Sequence, residues 1–428
     1  MRKLNIAIIG LGNIGSYLYK YLKDNKKILT EKNNCLPVVK FISAKNKKRK
    51  RNINFSRTKW LNNYLDATKL KEVDLIVELI GGSEGPAKKL VFNALKNKKH
   101  VVTANKALIA KYGDELAKIA EENKVNLEFE ASVCGGVPII RSIKEGLIAN
   151  KISKIYGIFN GTSNYILSSM DKQNKNYEEI LLRAKKLGYA ETNPSADLNG
   201  NDVASKLKIL SSLCFNSFLN NNIYVEGINQ IDKTDINNAK ALGYKIKLLG
   251  FAESINNKIY QRVHPTLIKK NSYVASIDGV LNAVIIDGKP VGQSIIQGEG
   301  AGAAATTSAL ISDISSILRG NVKFPFSLSR KKRKILKFYS IEDRLFSAYL
   351  RFEVVDKPGV LSNITNIFSK NKVSIKRLVQ NPNKNKKLSS IIVITHKSKN
   401  RSLNKILNEI AKKSFIKKKP KLIRIDNN

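Results

Sequence analysis

An apolar, strand-like run from Leu4 to Ile9 passes through Gly10, Gly12 and Gly15 into a helix-like run, Ile14 to Leu22. No other stretch restricts the fold as strongly. In a GxGxxG turn the first glycine permits the tight bend. The second lets backbone approach a pyrophosphate, and the third lets the helix pack close to the sheet with its N-terminus at the phosphates. A lone match is weak, but this one has the required strand before it and helix after it. Gly10, Gly12, Asn13, Ile14 and Gly15 are therefore candidate contacts to a dinucleotide. The plainer reading, a glycine-rich turn with no ligand, lacks that support.

The next segments alternate as a βαβ series does. Val38–Ser43, Val73–Ile80, Val101–Thr103 and Val125–Phe129 read as strands, and Pro86 opens a helix running to about Lys98. In VVTANKALIA, Lys106 falls where a strand gives way to a helix, the edge at which an open parallel sheet forms its ligand crevice. A cation presented there beside a nicotinamide can hold a small anionic or carbonyl substrate. The glycines of GGSEGPA, Gly82 among them, allow close approach to the nicotinamide ribose, although a Gly-Pro turn into a helix also occurs without a ligand. At the end of the second strand, where a carboxylate would accept from the ribose hydroxyls of NAD, the chain reads Ser43-Ala44-Lys45-Asn46-Lys47-Lys48-Arg49-Lys50-Arg51. Cations there, Lys45 first, suit a 2′-phosphate and favour NADP(H) over NAD(H). The alternative is one more basic loop in a basic protein.

Basic the chain is: its formal charge is +42 over 428 residues. The lysines are scattered over nearly every loop and helix, and the single Trp60 and dispersed Tyr and Phe form no stacking platform. This reads as solvated surface, not as a specific nucleic-acid face. No apolar run reaches the roughly 18 residues of a membrane helix. Met1-Arg2-Lys3 and the short apolar run after it read as a first strand, so a cytoplasmic location is expected. Cys35, Cys134 and Cys214 lie far apart without CxxC spacing, which suits a reducing compartment. His264 and His396 are expected to be structural, and no transition-metal constellation stands out.

Beyond Ile152 the strands IYGIF, QRVHP and LNAVIID alternate with helices, an α+β pattern. A glycine-rich segment from Gln297 ends in a long small-residue helix, and the basic Ser329–Lys337 reads as a linker. From about Ser347 the order is βαββαβ, the ferredoxin-like arrangement, with a turn at Asp356–Gly359. The richest chemistry lies in LGYAETNPSADLNGNDVASKLKIL, where Glu191, Asp197 and Asp202 precede Lys206. Asp202 and Lys206, at i and i+4, share a helix face. Such a pair is usually surface decoration, but carboxylates suit the ammonium of an amino acid and a lysine suits a carboxylate or a developing alkoxide. Two neighbouring lysines lower each other's proton affinity while carboxylates raise it, and the sequence leaves open which prevails.

Taken in order, GxGxxG, ELIGG, VVTANKALIA, FEASVCGGVPII, GIFNGTSNYIL, LGYAETNPSADLNGNDVASKL, RVHP and QGEGAGAAAT resemble homoserine dehydrogenase over nearly the whole chain. The tail resembles the ACT domain of its long forms. The resemblance implies a Rossmann-type NAD(P)-binding domain over residues 1–130, a catalytic and dimerisation domain over 131–322, a linker over 323–346 and an ACT-like regulatory domain over 347–428. It also implies interconversion of L-homoserine and L-aspartate 4-semialdehyde on the route to threonine, methionine and isoleucine.

Carried onto matching positions, Glu191 and Asp202 bind substrate, Lys206 moves the proton, Lys106 touches nicotinamide and substrate, and Asp197 supports the site. Gly188 and Gly302 match positions near the cofactor. Glu130, with the carbonyls of Val133, Gly135 and Val137, matches a monovalent-cation segment (sodium or potassium), while a Gly-Gly-Pro hinge is its bland reading. A homodimer or homotetramer, and feedback by a threonine effector through paired tails, complete what the resemblance implies. A related amino-acid dehydrogenase with another substrate, a nucleic-acid-binding protein and a catalytically dead amino-acid sensor are the competing readings.

Overall fold

The computed structural model describes residues 2–51, 53–55, 58–382 and 387–426. Six parallel strands form the first sheet: β1 (Arg2–Ile9), β2 (Cys35–Ser43), β3 (Lys59–Trp60), β4 (Leu75–Glu78), β5 (His100–Thr103) and β6 (Leu127–Glu128). Their order is β3-β2-β1-β4-β5-β6, so the winding reverses between β1 and β4. Loops leaving the carboxyl ends of those two strands diverge to opposite sides and open a crevice. Helices cover both faces, which is why Ile6 to Ile9 and Leu75 to Val77 are buried without alternation.

The largely polar stretch Lys23–Leu36 contains a helix, Lys26–Asn33. Its polar residues hide a narrow packed face of Leu29, Thr30 and Asn33.

The second sheet holds β7 (Lys151–Ile158), β8 (Tyr224–Val225), β9 (Tyr244–Ile255), β10 (Lys258–Lys269), β11 (Leu281–Lys289) and β12 (Gly292–Glu299). Its first part runs β12-β11-β7-β9-β10. β9 escapes a sequence reading because Lys245 and Lys247 interrupt its apolar run. Lys247 is nonetheless buried, its amine donating to Asn164 Oδ1 and pairing with Asp278 at 2.8 Å. After β12 the helix Ala303–Leu318 returns to the first domain. Its Leu310 and Ile314 share a core with Ile6, Ile8 and Leu18.

The stretch expected as a basic linker is tied down. Arg333 is buried, paired with Asp114 at 2.7 Å and donating to the Ser217 carbonyl, and Lys337–Phe338 (β13) pairs with the start of β10. Buried cation–carboxylate contacts of this kind are invisible when only local charge is read.

The tail consists of β14 (Leu345–Val355), the helix Val360–Lys370, β15 (Ile375–Pro382), β16 (Leu388–Thr395), the short β17 (Ser398–Lys399), the helix Asn400–Ala411 and β18 (Lys421–Ile425). Its order β18-β14-β16-β15 is the ferredoxin-like one. Val360, Ile364 and Ile367 of one helix and Leu403, Ile406 and Ile410 of the other pack against Leu350, Phe352 and Ile391. β18 also pairs in parallel with β10, so the strands of that first part and of the tail make one continuous sheet.

Candidate active site

Gly10 has φ +108, and a Cβ there would lie 2.4 Å from the Leu79 carbonyl oxygen. A Cβ on Gly15 would come within 2.0 Å of the Gly10 carbonyl oxygen. Only glycine permits both approaches. Beside this turn lies a cleft of about 460 Å³, lined by Gly12, Asn13, Ile14, Gly15, Arg49, Glu78, Ile80, Gly81 and Asn105 among others. The helix Asn13–Asp24 directs its unpaired N–H groups toward it, a setting suited to a pyrophosphate.

The floor is organised by Glu78, which is fully buried. Its Oε1 accepts from the backbone N–H groups of Ile80 (2.8 Å) and Gly81 (3.0 Å), and its Oε2 from Thr103 Oγ1 (2.5 Å). Thr103 Oγ1 in turn accepts from Asn105 N, and Asn105 Nδ2 donates to the Gly82 carbonyl. Asn105 also caps the helix Lys106–Glu122 by accepting from Leu108 N. These bonds fix the start of that helix, and so fix Lys106.

From there Lys106 Nζ reaches Asp202 Oδ1 at 2.5 Å. Asp202 lies in the first turn of the helix Asn201–Cys214, and its other oxygen pairs with Lys206 Nζ at 2.8 Å. Lys206 also donates to the Phe159 carbonyl at 2.7 Å. The next residue, Asn160, donates from Nδ2 to Asp197 Oδ1 (2.7 Å) and Asp202 Oδ2 (2.8 Å). Two ammonium groups and two carboxylates thus converge one residue beyond the wall of a nucleotide cleft.

Comparison with known proteins fits this geometry. The family profile described as "Homoserine dehydrogenase" matches residues 138–315, that described as "Homoserine dehydrogenase, NAD binding domain" matches 10–130, and an ACT domain matches 348–415. A homoserine dehydrogenase of Helicobacter pylori is 37% identical over 100% of both chains, and one of Neisseria gonorrhoeae 36% over 100% of this chain and 99% of its own. The chain belongs to the homoserine dehydrogenase family. Among solved structures, a homoserine dehydrogenase from Thiobacillus denitrificans superposes with a TM-score of 0.93 at 36% identity, covering 100% of this chain and 99% of its own. A hyperthermophilic archaeal homoserine dehydrogenase in complex with NADPH, 25% identical, covers 73% of this chain and 97% of its own with a TM-score of 0.62.

In this homoserine dehydrogenase family member the electrostatics of the cluster centre on Asp202. Burial alone would push its carboxyl up, but Lys206 and Lys106 outweigh burial and hold it well below the usual carboxylate range. Burial works against the Lys206 ammonium too. Asp202 prevails there as well, leaving the proton affinity of Lys206 above the ordinary lysine value. Asp197 is shifted upward by burial and by the charge of Asp202.

Other candidates stand apart. Glu191 is exposed on the loop before Asp197 and makes no ion pair or hydrogen bond among the described residues. Gly188 (φ +74) and Gly302 (φ +110) are exposed and open around a would-be Cβ, outside the lining of the cleft. Lys45 is exposed too, whereas Arg49 lines the cleft. Arg51 turns inward, donating from Nε to the Leu11 carbonyl and from Nη2 to that of Asn46, and so braces the basic loop against the glycine turn. His264 is fully buried against Arg262 and Thr266.

Around the Gly-Gly-Pro segment, Glu130 is buried and its oxygens accept from Ile140 N (2.8 Å) and Arg141 N (2.6 Å). Burial still pushes its carboxyl up to about 7. No group of three or more His, Cys, Asp or Glu placed to hold a metal occurs among the described residues. The sequence reading passes over Glu78 and Asn160 as functional residues. Asn105 and Asn160 each precede a helix-like run, and this N-cap signal would find both asparagines.

Proposed function

We propose that the chain interconverts L-homoserine and L-aspartate 4-semialdehyde with NADP(H) as its preferred cofactor, on the route to threonine, methionine and isoleucine. The observation that carries this reading is the single buried carboxylate, Asp202, shared by Lys106 and Lys206 beside the cleft. A bound nicotinamide supplies or takes up the hydride. The Lys206 ammonium donates a proton to the aldehyde oxygen as it becomes an alkoxide, and Asp202 keeps that ammonium charged and aimed. Lys106 adds positive charge on the cofactor side, while Asp202, joined on substrate binding by Glu191 from the exposed loop, receives the substrate ammonium. Asp197, sharing the Asn160 amide with Asp202, supports the arrangement.

Since Asp202 raises the proton affinity of Lys206, the two directions have opposite pH dependence. Reduction, which needs the ammonium, should be level across neutral pH and fall only above about 10.4, the ordinary lysine value. Oxidation, which needs the neutral amine, should climb with pH over the same range. Profiles of kcat in both directions check this, and a reduction rate falling between pH 7 and 9 would exclude Lys206 as the donor.

Three observations support NADP(H): no carboxylate follows β2, Arg49 lines the cleft, and the archaeal homoserine dehydrogenase was solved with NADPH. Arg49→Ala should raise KM for NADPH by roughly ten- to a hundredfold and leave that for NADH unchanged, since one charge-assisted phosphate contact contributes about 1.5–3 kcal/mol. Equal effects on both cofactors would remove Arg49 from the 2′-phosphate.

A monovalent cation suits the Glu130 segment. Its carboxylate is buried, and the buried carbonyls of Val133 and Gly135 accept no hydrogen bond among the described residues. The Val137 carbonyl, in contrast, accepts from Ile139 N at 2.7 Å. Such an ion would neutralise Glu130 and stiffen the junction between the domains.

The tail, with its Asp356–Gly359 turn exposed, is the place for a threonine effector acting in a dimer or tetramer in the cytoplasm. Assaying the full chain with L-homoserine and each cofactor, with and without L-threonine, tests the whole reading. Absence of homoserine-dependent turnover with either cofactor would defeat it.

A further inference from the structure

One edge of β10 receives three segments in a row: β13, β8 and β18. Tyr224 and Val225 of β8 pair with Arg262 and Val263, and Arg424 of β18 pairs with Thr266. Arg424 is almost completely buried although it carries a full charge. Its Nη1 donates to Glu226 Oε2 at 2.8 Å, its Nη2 to the Tyr224 hydroxyl at 3.0 Å and its Nε to Asn400 Oδ1 at 2.9 Å. The Tyr224 hydroxyl also bonds Glu226 Oε1. A tail arginine thus clasps the short catalytic strand from outside.

The residues after that strand pack on the Leu198–Gly200 turn, between Asp197 and Asp202. Glu226 N donates to the Val263 carbonyl at 2.7 Å, and Ile228 N to the Leu198 carbonyl at 2.8 Å. Between them, Gly227 lies so close that a Cβ would stand 2.3 Å from the Leu198 carbonyl oxygen and 2.5 Å from the Asn199 Cα. Gly200, at φ +85, abuts Val225 and Val263 and starts the helix that bears Asp202 and Lys206. Asp197 lies on one side of this turn and Asp202 on the other. Displacing residues 224–228 by a fraction of an ångström therefore displaces both carboxylates.

We propose that Arg424 is a positioning residue for homoserine binding: through Glu226 and Gly227 it fixes the Leu198–Gly200 turn, and with it the placement of Asp197 and Asp202. Any ligand or subunit contact that shifts β18 against β10 acts on the substrate pocket by this route. The inference rests on the reading of Asp202 given above.

The test uses the full chain and compares Glu226→Gln, Arg424→Met, Arg424→Lys and the double variant Glu226→Gln/Arg424→Met, with Asp202→Asn as reference. In Glu226→Gln and Arg424→Met, KM for L-homoserine should rise between roughly tenfold and a hundredfold, the scale expected of small misplacements. KM for the nicotinamide cofactor should not change. Arg424→Lys should recover part of the loss, and the double variant should be no worse than the poorer single one, because both remove one link.

If Arg424→Met does not fold, Glu226→Gln decides, since its carboxylate is a quarter exposed and the amide is isosteric. A lowered unfolding midpoint with unchanged KM for homoserine would overturn the proposal and leave the pair as a structural clasp. Equal rises in both KM values would overturn it as well. Should Asp202→Asn leave KM for homoserine unchanged, the reading of Asp202 fails first. If only that variant raises it, the proposal alone falls.

Discussion

Lys206→Met should lower kcat in both directions by roughly 10²–10⁴-fold, the range for loss of a positioned acid–base group. Methionine is close to lysine in length, so the helix Asn201–Cys214 keeps its packing. Asp202 is not orphaned, because Lys106 and the Asn160 amide remain on it. What disappears is the buried ammonium that the Phe159 carbonyl and Asp202 aim. Lys106→Ala should behave differently. Its side chain is 44% exposed and sits on the cofactor side of Asp202, so KM values should rise more than kcat falls. Steady-state rates in both directions make the comparison. A Lys206→Met enzyme within a few-fold of wild type would show that the proton travels by another route.

The second large effect concerns stability. Arg351→Met should cost about 3–5 kcal/mol, the loss expected when one partner of a buried ion pair is removed. Arg351 is 5% exposed and uses every nitrogen: Nε to Asp235 at 2.8 Å, Nη2 to Asp232 at 2.5 Å and Nη1 to Glu353 at 2.8 Å. Asp235 belongs to the capping box of the helix Lys233–Ala241 in the catalytic part, so the arginine joins tail to catalytic domain. Lys421 and Tyr349 also contact Asp235 and would soften the loss without replacing the fork. Arg351→Lys should recover only part of it, since an ammonium cannot bond three carboxylates in this planar geometry. Denaturant unfolding of the full chain measures the difference. A loss below about 1 kcal/mol, the range of exposed pairs, would mean the tail is held by β10–β18 pairing and apolar contacts instead.

What the sequence makes legible is what is decided locally. Gly10 and Gly15 announce their turn because a Cβ at either would collide with backbone, and Gly12, open around a would-be Cβ, completes the spacing. Asp202 and Lys206 announce a shared face through helical spacing alone. The order βαββαβ follows from apolar periodicity in the tail.

What stays hidden is decided across distance. Nothing in the text around Lys106 shows that its amine meets Asp202, nor that Asn160 joins Asp197 to Asp202. β9 is masked by Lys247, whose charge reads as exposure until Asp278 is placed beside it. The packing of Ser329–Lys337 is hidden for the same reason, as Arg333 finds Asp114 across the fold. In a chain this rich in lysine, composition cannot separate a buried, paired cation from a solvated one. The proposed cation segment is harder still, because backbone carbonyls carry no residue identity.

The most direct test of the proposed chemistry is a crystal structure of the full chain with NADP⁺ and L-homoserine bound together. Hydride transfer requires the hydroxyl-bearing carbon about 3–3.5 Å from the reactive carbon of the nicotinamide. Proton transfer requires the hydroxyl oxygen about 2.6–3.2 Å from Lys206 Nζ, with the substrate ammonium against Asp202 or Glu191. A homoserine seated elsewhere, or one turned so that its hydroxyl faces solvent while Lys206 stays closed on Phe159 and Asp202, would contradict it.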